Sequence, residues 1–234
     1  MCGIIGYIGN NDAKAFLLDG LEKMEYRGYD SSGISVMSGN KIHTFKKRGR
    51  LQILRESLKN QQDVSGFVGI GHTRWATHGG ASDINAHPQN SQSGRISVVH
   101  NGIIENYISL KNFLLEKGFK FISDTDTEVV AQLIDFYYKD NFFEAVKTAV
   151  SKLEGSYALG ILCSNEPDKI IAAKKDSPLI VGIGEDENYI ASDVTALISK
   201  TRKIYRLEEN DIAVVKKDKV TIYSNAGKKV LDRD

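Results

Sequence analysis

An α+β fold, with two stacked sheets flanked by helices, is predicted by three features of this 234-residue sequence. Short apolar runs at residues 3–9, 97–100 and 158–162 have no polar face. Strands of that kind need cover on both sides, from a second sheet on one and helices on the other. Several segments of helical period sit among many short strands. No repeat, low-complexity stretch or proline-rich linker divides the chain, and none of its three prolines falls inside a periodic segment. One domain over residues 1–234 is therefore expected.

The elements follow in order. Residues 3–9 form an apolar run closed by Gly9 and Asn10, which predicts a buried strand. Asn11 and Asp12 offer an N-cap to a helix over 13–24, where Phe16, Leu17, Leu21 and Met24 share one face. Residues 25–33 break that helix as a loop. Strands are expected at 33–37 and 41–46, a helix at 51–59, and a strand at 67–73 that runs into a polar loop, 74–80. The next strand covers 95–100 and ends at Asn101-Gly102. Helices are expected at 106–117, 126–140 and 142–153. The last third is read as strands at 156–163, 169–174, 179–182, 189–191, 204–207, 211–216 and 219–223, with a helical turn at 193–199.

Bulk properties exclude several classes. Hydrophobic residues make up 41% and charged residues 26%, as in an ordinary globular protein. A net charge of +1, with acids and bases interspersed, argues against nucleic acid as a partner. No apolar run approaches the ~18 residues that span a membrane, and the N-terminus lacks a signal-peptide pattern. The two cysteines, Cys2 and Cys163, make no disulfide framework, and Cys163 has the setting of a small buried apolar residue. A cytoplasmic protein is the expectation. The five histidines form no helical i, i+4 pair with a nearby acid and there is no C-x-x-C, so no metal site is predicted. Gly182-Ile-Gly184 continues into Glu-Asp-Glu, which would repel phosphate, so no cofactor is predicted either.

The chemistry centres on Cys2. Behind an initiator methionine, a cysteine can become the N-terminal residue and carry a thiol nucleophile and an α-amine base together. Such a thiolate needs donors where an oxyanion forms, and the Asn101 side chain and Gly102 N–H offer them. Arg74 offers a bidentate fork to a carboxylate, and Asp126 a partner to an ammonium. Together they suit hydrolysis of the side-chain amide of glutamine. Plainer readings exist for each: Asn101-Gly102 as a tight turn, 124–126 as a helix cap, and Arg74-Trp75 as a surface cation–π pair.

Six blocks carry a resemblance: Cys2-Gly-Ile-Ile-Gly6, Glu25-Tyr-Arg-Gly-Tyr-Asp-Ser31, His72-Thr-Arg-Trp-Ala-Thr-His-Gly79, Ala86-His-Pro88, His100-Asn-Gly-Ile-Ile-Glu-Asn106 and Thr125-Asp-Thr-Glu128. With these the sequence resembles the class II glutamine amidotransferases, and most specifically the glutaminase domain of the glucosamine-6-phosphate synthases. The resemblance implies a four-layer α/β/β/α sandwich of the N-terminal-nucleophile type. It implies that Cys2, exposed by removal of Met1, is nucleophile and base, and that Asn101 and Gly102 form the oxyanion hole. Arg74 would hold the substrate carboxylate with Thr77 and His78 alongside, and Asp126 the ammonium. Arg27 would line the nucleophile's end of the site, and Trp75 would belong to a loop closing over L-glutamine. It further implies a sugar-phosphate isomerase domain as partner in the full-length enzyme, which would be a homodimer or larger.

Two alternatives stay open. One is the glutaminase domain of another class II amidotransferase, such as a purine-pathway transferase, against which the 25–31 and 72–79 blocks count. The other is a non-catalytic glutamine-binding module, which follows if Met1 is retained and the Cys2 amine is locked in a peptide bond.

Overall fold

The computed structural model describes residues 2–61, 64–76 and 79–231. In chain order the elements are β1 (Gly3–Ile8), α1 (Ala13–Glu22), β2 (Ser31–Ser38), β3 (Lys41–Arg48), α2 (Leu51–Leu58), β4 (Val68–Arg74), β5 (Gln89–Asn90) and β6 (Ile96–Ile104). Then come α3 (Tyr107–Glu116), α4 (Asp126–Tyr137), α5 (Phe142–Val150), β7 (Gly155–Cys163), β8 (Ile170–Lys175), β9 (Ile180–Ile183) and β10 (Asn188–Ala191). The chain finishes with β11 (Lys203–Arg206), β12 (Ile212–Val215), β13 (Val220–Ser224) and β14 (Gly227–Leu231).

Two seven-stranded sheets result, ordered β11-β9-β10-β1-β4-β2-β3 and β14-β13-β12-β8-β7-β6-β5, with antiparallel pairing between neighbours. Three clusters of buried side chains define the layers. Ile5, Tyr7, Leu17, Leu21 and Leu54 join the first sheet to α1 and α2. Ile4, Ile8, Ile70, Val99, Leu162 and Ala172 fill the space between the sheets. Val98, Val129, Leu133, Val146 and Ile161 join the second sheet to α4 and α5. The predicted α/β/β/α sandwich is the observed one. Ile4 and Ile70 are fully buried, and truncating either to alanine costs about 2–5 kcal/mol in such a core.

Strand alternation decides what faces the inter-sheet layer. On β1 the even residues Ile4 and Ile8 point inward while Ile5 and Tyr7 point to the helices. On β4 the inward set includes Val68 and Ile70, and on β6 it includes Val99. Continuing each series in steps of two puts His72 and Arg74 of β4, Asn101 of β6 and Cys2 ahead of β1 on inner faces. They gather at one end of the sandwich, where Ile4 pairs with His72 and Gly3 with Thr73.

Helix starts follow their caps. Asp12 accepts from Lys14 N and Thr125 from Glu128 N, and Asn141 accepts from Glu144 N. Three expectations are corrected. Asn101-Gly102 is not a tight turn: β6 continues through Ile104, with Asn101 opposite Ala158 and Gly102 opposite Tyr157. Arg74 is the last residue of β4, not the first of a loop. Strands β5 and β14 have no counterpart among the expected elements, being a two-residue edge and a polar, exposed edge respectively.

Candidate active site

A cavity of about 390 Å³ opens at that end of the sandwich. Cys2, Arg27, Arg74, Trp75, Asn101, Gly102 and Asp126 all line it. Of the residues singled out from the sequence, Thr77 and His78 lie outside the described residues.

Cys2 is half-buried. Its Sγ accepts from the Trp75 N–H at 3.2 Å and lies 3.5 Å from the Trp75 carbonyl oxygen. Burial pushes the thiol's pKa up, against the pull of the Trp75 amide, Arg74 and Arg27. A thiol so placed stays protonated near neutrality and needs a base to become a nucleophile.

Asn101 donates from Nδ2 to the Cys2 carbonyl at 3.0 Å, linking the two sheets beside Cys2. An amide nitrogen carries two hydrogens, so a second remains for a ligand. Gly102 adopts φ +124°, and a Cβ there would stand 2.2 Å from the Ser156 carbonyl oxygen. Only glycine lets β6 turn at that point with β7 so close.

Arg74 is 3% exposed, which is incompatible with a surface cation–π pair with Trp75. Its Nη2 donates to the Gly79 carbonyl at 3.0 Å. The neighbouring loop is docked on residues 25–30. Asp30 N donates to the Arg74 carbonyl and Asp30 Oδ2 accepts from Ala76 N, each at 3.0 Å. Trp75 packs edge-on against Tyr29 at 5.7 Å. Gly28 permits this approach, because a Cβ would lie 2.9 Å from the Arg74 carbonyl carbon.

Asp126 stands in the first turn of α4, immediately after the Thr125 cap, and is 5% exposed. The cap reading holds for this segment, and Asp126 also lines the cavity. Asp126 Oδ2 accepts from Ile104 N at 2.9 Å and lies 3.9 Å from His100 Nδ1. Buried but held by backbone, the carboxylate is a fixed acceptor at the cavity wall. Arg27 forms a salt bridge to Asp193 on the rim.

Sequence reasoning missed the lining residues Ser156, Ser177 and Pro178 and gave no role to His87, which it noted only within the block 86–88. His87 sits in a segment fastened by Lys46 Nζ, which donates to the carbonyls of Ile84, Ala86 and Pro88 at 2.9, 3.0 and 3.2 Å. No local pattern marks Ser177 and Pro178; only the sheet topology brings them here. His72 opens the 72–79 block but has no role assigned there; strand alternation puts it on the inner face. Among the described residues, no group of three or more His, Cys, Asp or Glu side chains is spaced to hold a metal ion.

The profile of a family described as a glutamine amidotransferase domain matches residues 72–199, more than half of the chain. The chain belongs to the glutamine amidotransferase domain family. The matched span includes Arg74, Asn101, Gly102 and Asp126 and opens after Cys2 and Arg27. The amidotransferase domain is 55% identical over 230 residues to the glutamine–fructose-6-phosphate aminotransferase [isomerizing] of Clostridium tetani, covering 98% of this chain and 38% of that protein. It is 46% identical over 230 residues to the enzyme of the same name from Aquifex aeolicus, covering 98% and 39% respectively. The domain thus spans well under half the length of these relatives. Among solved structures it is similar to the glutamine phosphoribosylpyrophosphate amidotransferase of B. subtilis. That match has 27% identity and a TM-score of 0.76, over 100% of this chain and 50% of that one. No helix among the described residues is long and apolar enough to cross a membrane.

Proposed function

We propose that residues 1–234 form one glutaminase unit, which hydrolyses the side-chain amide of L-glutamine to glutamate and ammonia. The observation that carries this reading is the convergence of a thiol, an amide donor, a buried guanidinium and a buried carboxylate on one cavity of about 390 Å³.

In this reading removal of Met1 frees the Cys2 amine, which takes the thiol proton. Sγ adds to the glutamine side-chain carbonyl. Asn101 Nδ2 and the Gly102 N–H receive the oxyanion; one such donor is worth about 2.7–4 kcal/mol in a protease. The C–N bond breaks as the leaving nitrogen takes the proton, giving ammonia and a γ-glutamyl thioester. Water, deprotonated by the same amine, attacks the thioester and releases glutamate. Arg74 pairs with the substrate carboxylate and Asp126 with its ammonium, with Thr77 and His78 in supporting positions. Arg27 and Trp75 border the nucleophile.

The similarity to glutamine–fructose-6-phosphate aminotransferases supports a further step in a longer protein. There the ammonia passes to an isomerase domain that converts fructose 6-phosphate to glucosamine 6-phosphate, in hexosamine biosynthesis and in a dimer or larger assembly. The 46–55% identity to those relatives, against 27% to the phosphoribosylpyrophosphate enzyme, favours this acceptor over a purine-pathway one.

The test pairs intact mass with a glutamate-release assay. Protein lacking Met1 should turn over glutamine, Cys2→Ala should not, and Cys2→Ala should still bind glutamine. Full turnover by Cys2→Ala removes the nucleophile from this scheme. Full turnover by protein that retains Met1 removes the free amine.

A further inference from the structure

His72 lies on the inner face of β4, fully buried, on the same face as Arg74 at the strand's end. Its Nε2 is 3.0 Å from the His100 carbonyl oxygen and 2.9 Å from Asn101 Oδ1. A backbone carbonyl only accepts, so Nε2 must carry the hydrogen. A nitrogen that carries hydrogen faces acceptors, so the Asn101 atom beside it is the amide oxygen. The amide nitrogen is thereby turned to the other side, where it donates to the Cys2 carbonyl at 3.0 Å. Flipping the amide would set two donors against each other at His72 and turn an oxygen toward the nucleophile's end of the cavity.

The rest of the ring agrees. Nδ1 is buried and has no hydrogen-bond partner among the described residues, as befits a bare lone pair. The ring packs on His87 with centroids 4.4 Å apart. Burial, the dominant influence, pushes the imidazole pKa down to about 3, so the ring is neutral near pH 7 and carries a single hydrogen, which the two oxygens hold on Nε2.

We propose that His72 is a positioning residue: its Nε2–H fixes the orientation of the Asn101 amide, so that Nδ2 rather than Oδ1 meets the oxyanion. The inference rests on the reading of Asn101 as an oxyanion donor. His72 touches neither substrate nor thiol in this role and acts wholly through Asn101.

The experiment measures glutamate release by the whole chain for His72→Phe, His72→Gln, Asn101→Ala and the double variant His72→Phe/Asn101→Ala. It adds ¹⁵N NMR of the histidine rings in the unmodified protein. His72→Phe should lower kcat about 100-fold, the scale of one lost oxyanion donor, with KM for glutamine changed less than about threefold. His72→Gln, whose amide can donate to the same two oxygens, should return kcat to within about tenfold of the parent. In the double variant, loss of His72 should cost nothing beyond Asn101→Ala. The spectrum should show hydrogen on Nε2.

Parent-level kcat in His72→Phe, losses that multiply in the double variant, or hydrogen on Nδ1 would each overturn the role of His72 while leaving Asn101 as donor. Parent-level kcat in Asn101→Ala has a different meaning. It removes the oxyanion reading itself, and the role of His72 with it.

Discussion

Arg27 Nη1 and Asp193 Oδ2 meet in a salt bridge at 2.5 Å, tying the turn after α1 to the turn after β10 at the rim of the cavity. The Tyr26 hydroxyl donates to the same oxygen at 2.8 Å, and Thr195 N donates to Asp193 Oδ1 at 2.9 Å. Burial raises the Asp193 pKa, but these donors outweigh it and bring it to about 2. A folded pKa below the unfolded value contributes stability that is present above pH 3.8 and lost as pH falls through about 2. Asp193→Asn should therefore cost about 1–2 kcal/mol at pH 7, the lower part of the linkage value because the pair is partly hydrated. Urea unfolding of parent and variant should show that gap closing between about pH 4 and pH 2. A gap that holds constant over this range means that Asp193 does not act through its charge.

Arg74 is expected to govern substrate affinity. Arg74→Ala should raise KM for glutamine about 30- to 1000-fold, the loss of a buried, charge-assisted pair, with a smaller change in kcat. Arg74→Lys should recover little, because an ammonium cannot reproduce the planar fork. Steady-state kinetics on L-glutamine and on L-glutaminamide, which lacks the α-carboxylate, provide the check. The parent should prefer glutamine strongly, and the variants should lose that preference. Equal discrimination in all three would detach Arg74 from the carboxylate.

Gly102→Ala tests whether the turn of β6 is a steric requirement. Gly102 and Gly94 both have positive φ, +124° and +74°. A Cβ added at Gly102 would meet the Ser156 carbonyl oxygen at 2.2 Å, whereas one added at Gly94 would meet nothing within 4 Å. Gly94→Ala should cost about 1 kcal/mol from backbone conformation alone. Gly102→Ala should cost about 2 kcal/mol or more and lower kcat, since the displaced strand carries the Asn101 amide with it. Equal costs at the two positions would show that close packing against β7 is not what demands glycine.

Much of this was legible in the sequence because the local signals agree with the tertiary ones. The caps Asp12 and Thr125 start their helices where the periodicity does. Apolar runs such as 158–162 fall in a strand covered on both faces, as their composition requires. Legibility failed where tertiary context overrides local preference. Asn101-Gly102 carries turn chemistry, but pairing with Ala158 and Tyr157 keeps it in a strand, and the positive φ of Gly102 is used to bend β6 instead. Arg74 looks like a loop residue because a buried guanidinium is rare, whereas it closes β4 at the cavity wall. His72 and Asp193 act on partners 29 and 166 positions away, Asn101 and Arg27, separations at which no sequence period operates.

The placement of Cys2 and Arg74 on one sheet and of Asn101 on the other has a consequence for the life of the chain. Each sheet alone presents an incomplete set of groups. Until the two faces close around Ile4, Ile70 and Val99, Cys2 lacks its contact with the Asn101 amide, and on the proposed mechanism a nascent or partly opened molecule has no oxyanion donor from the second sheet. On that mechanism, chemical competence is timed by tertiary docking and not by the appearance of strands or helices. The rate at which a glutamine-like electrophile labels Cys2 therefore clocks the final closure of the sandwich.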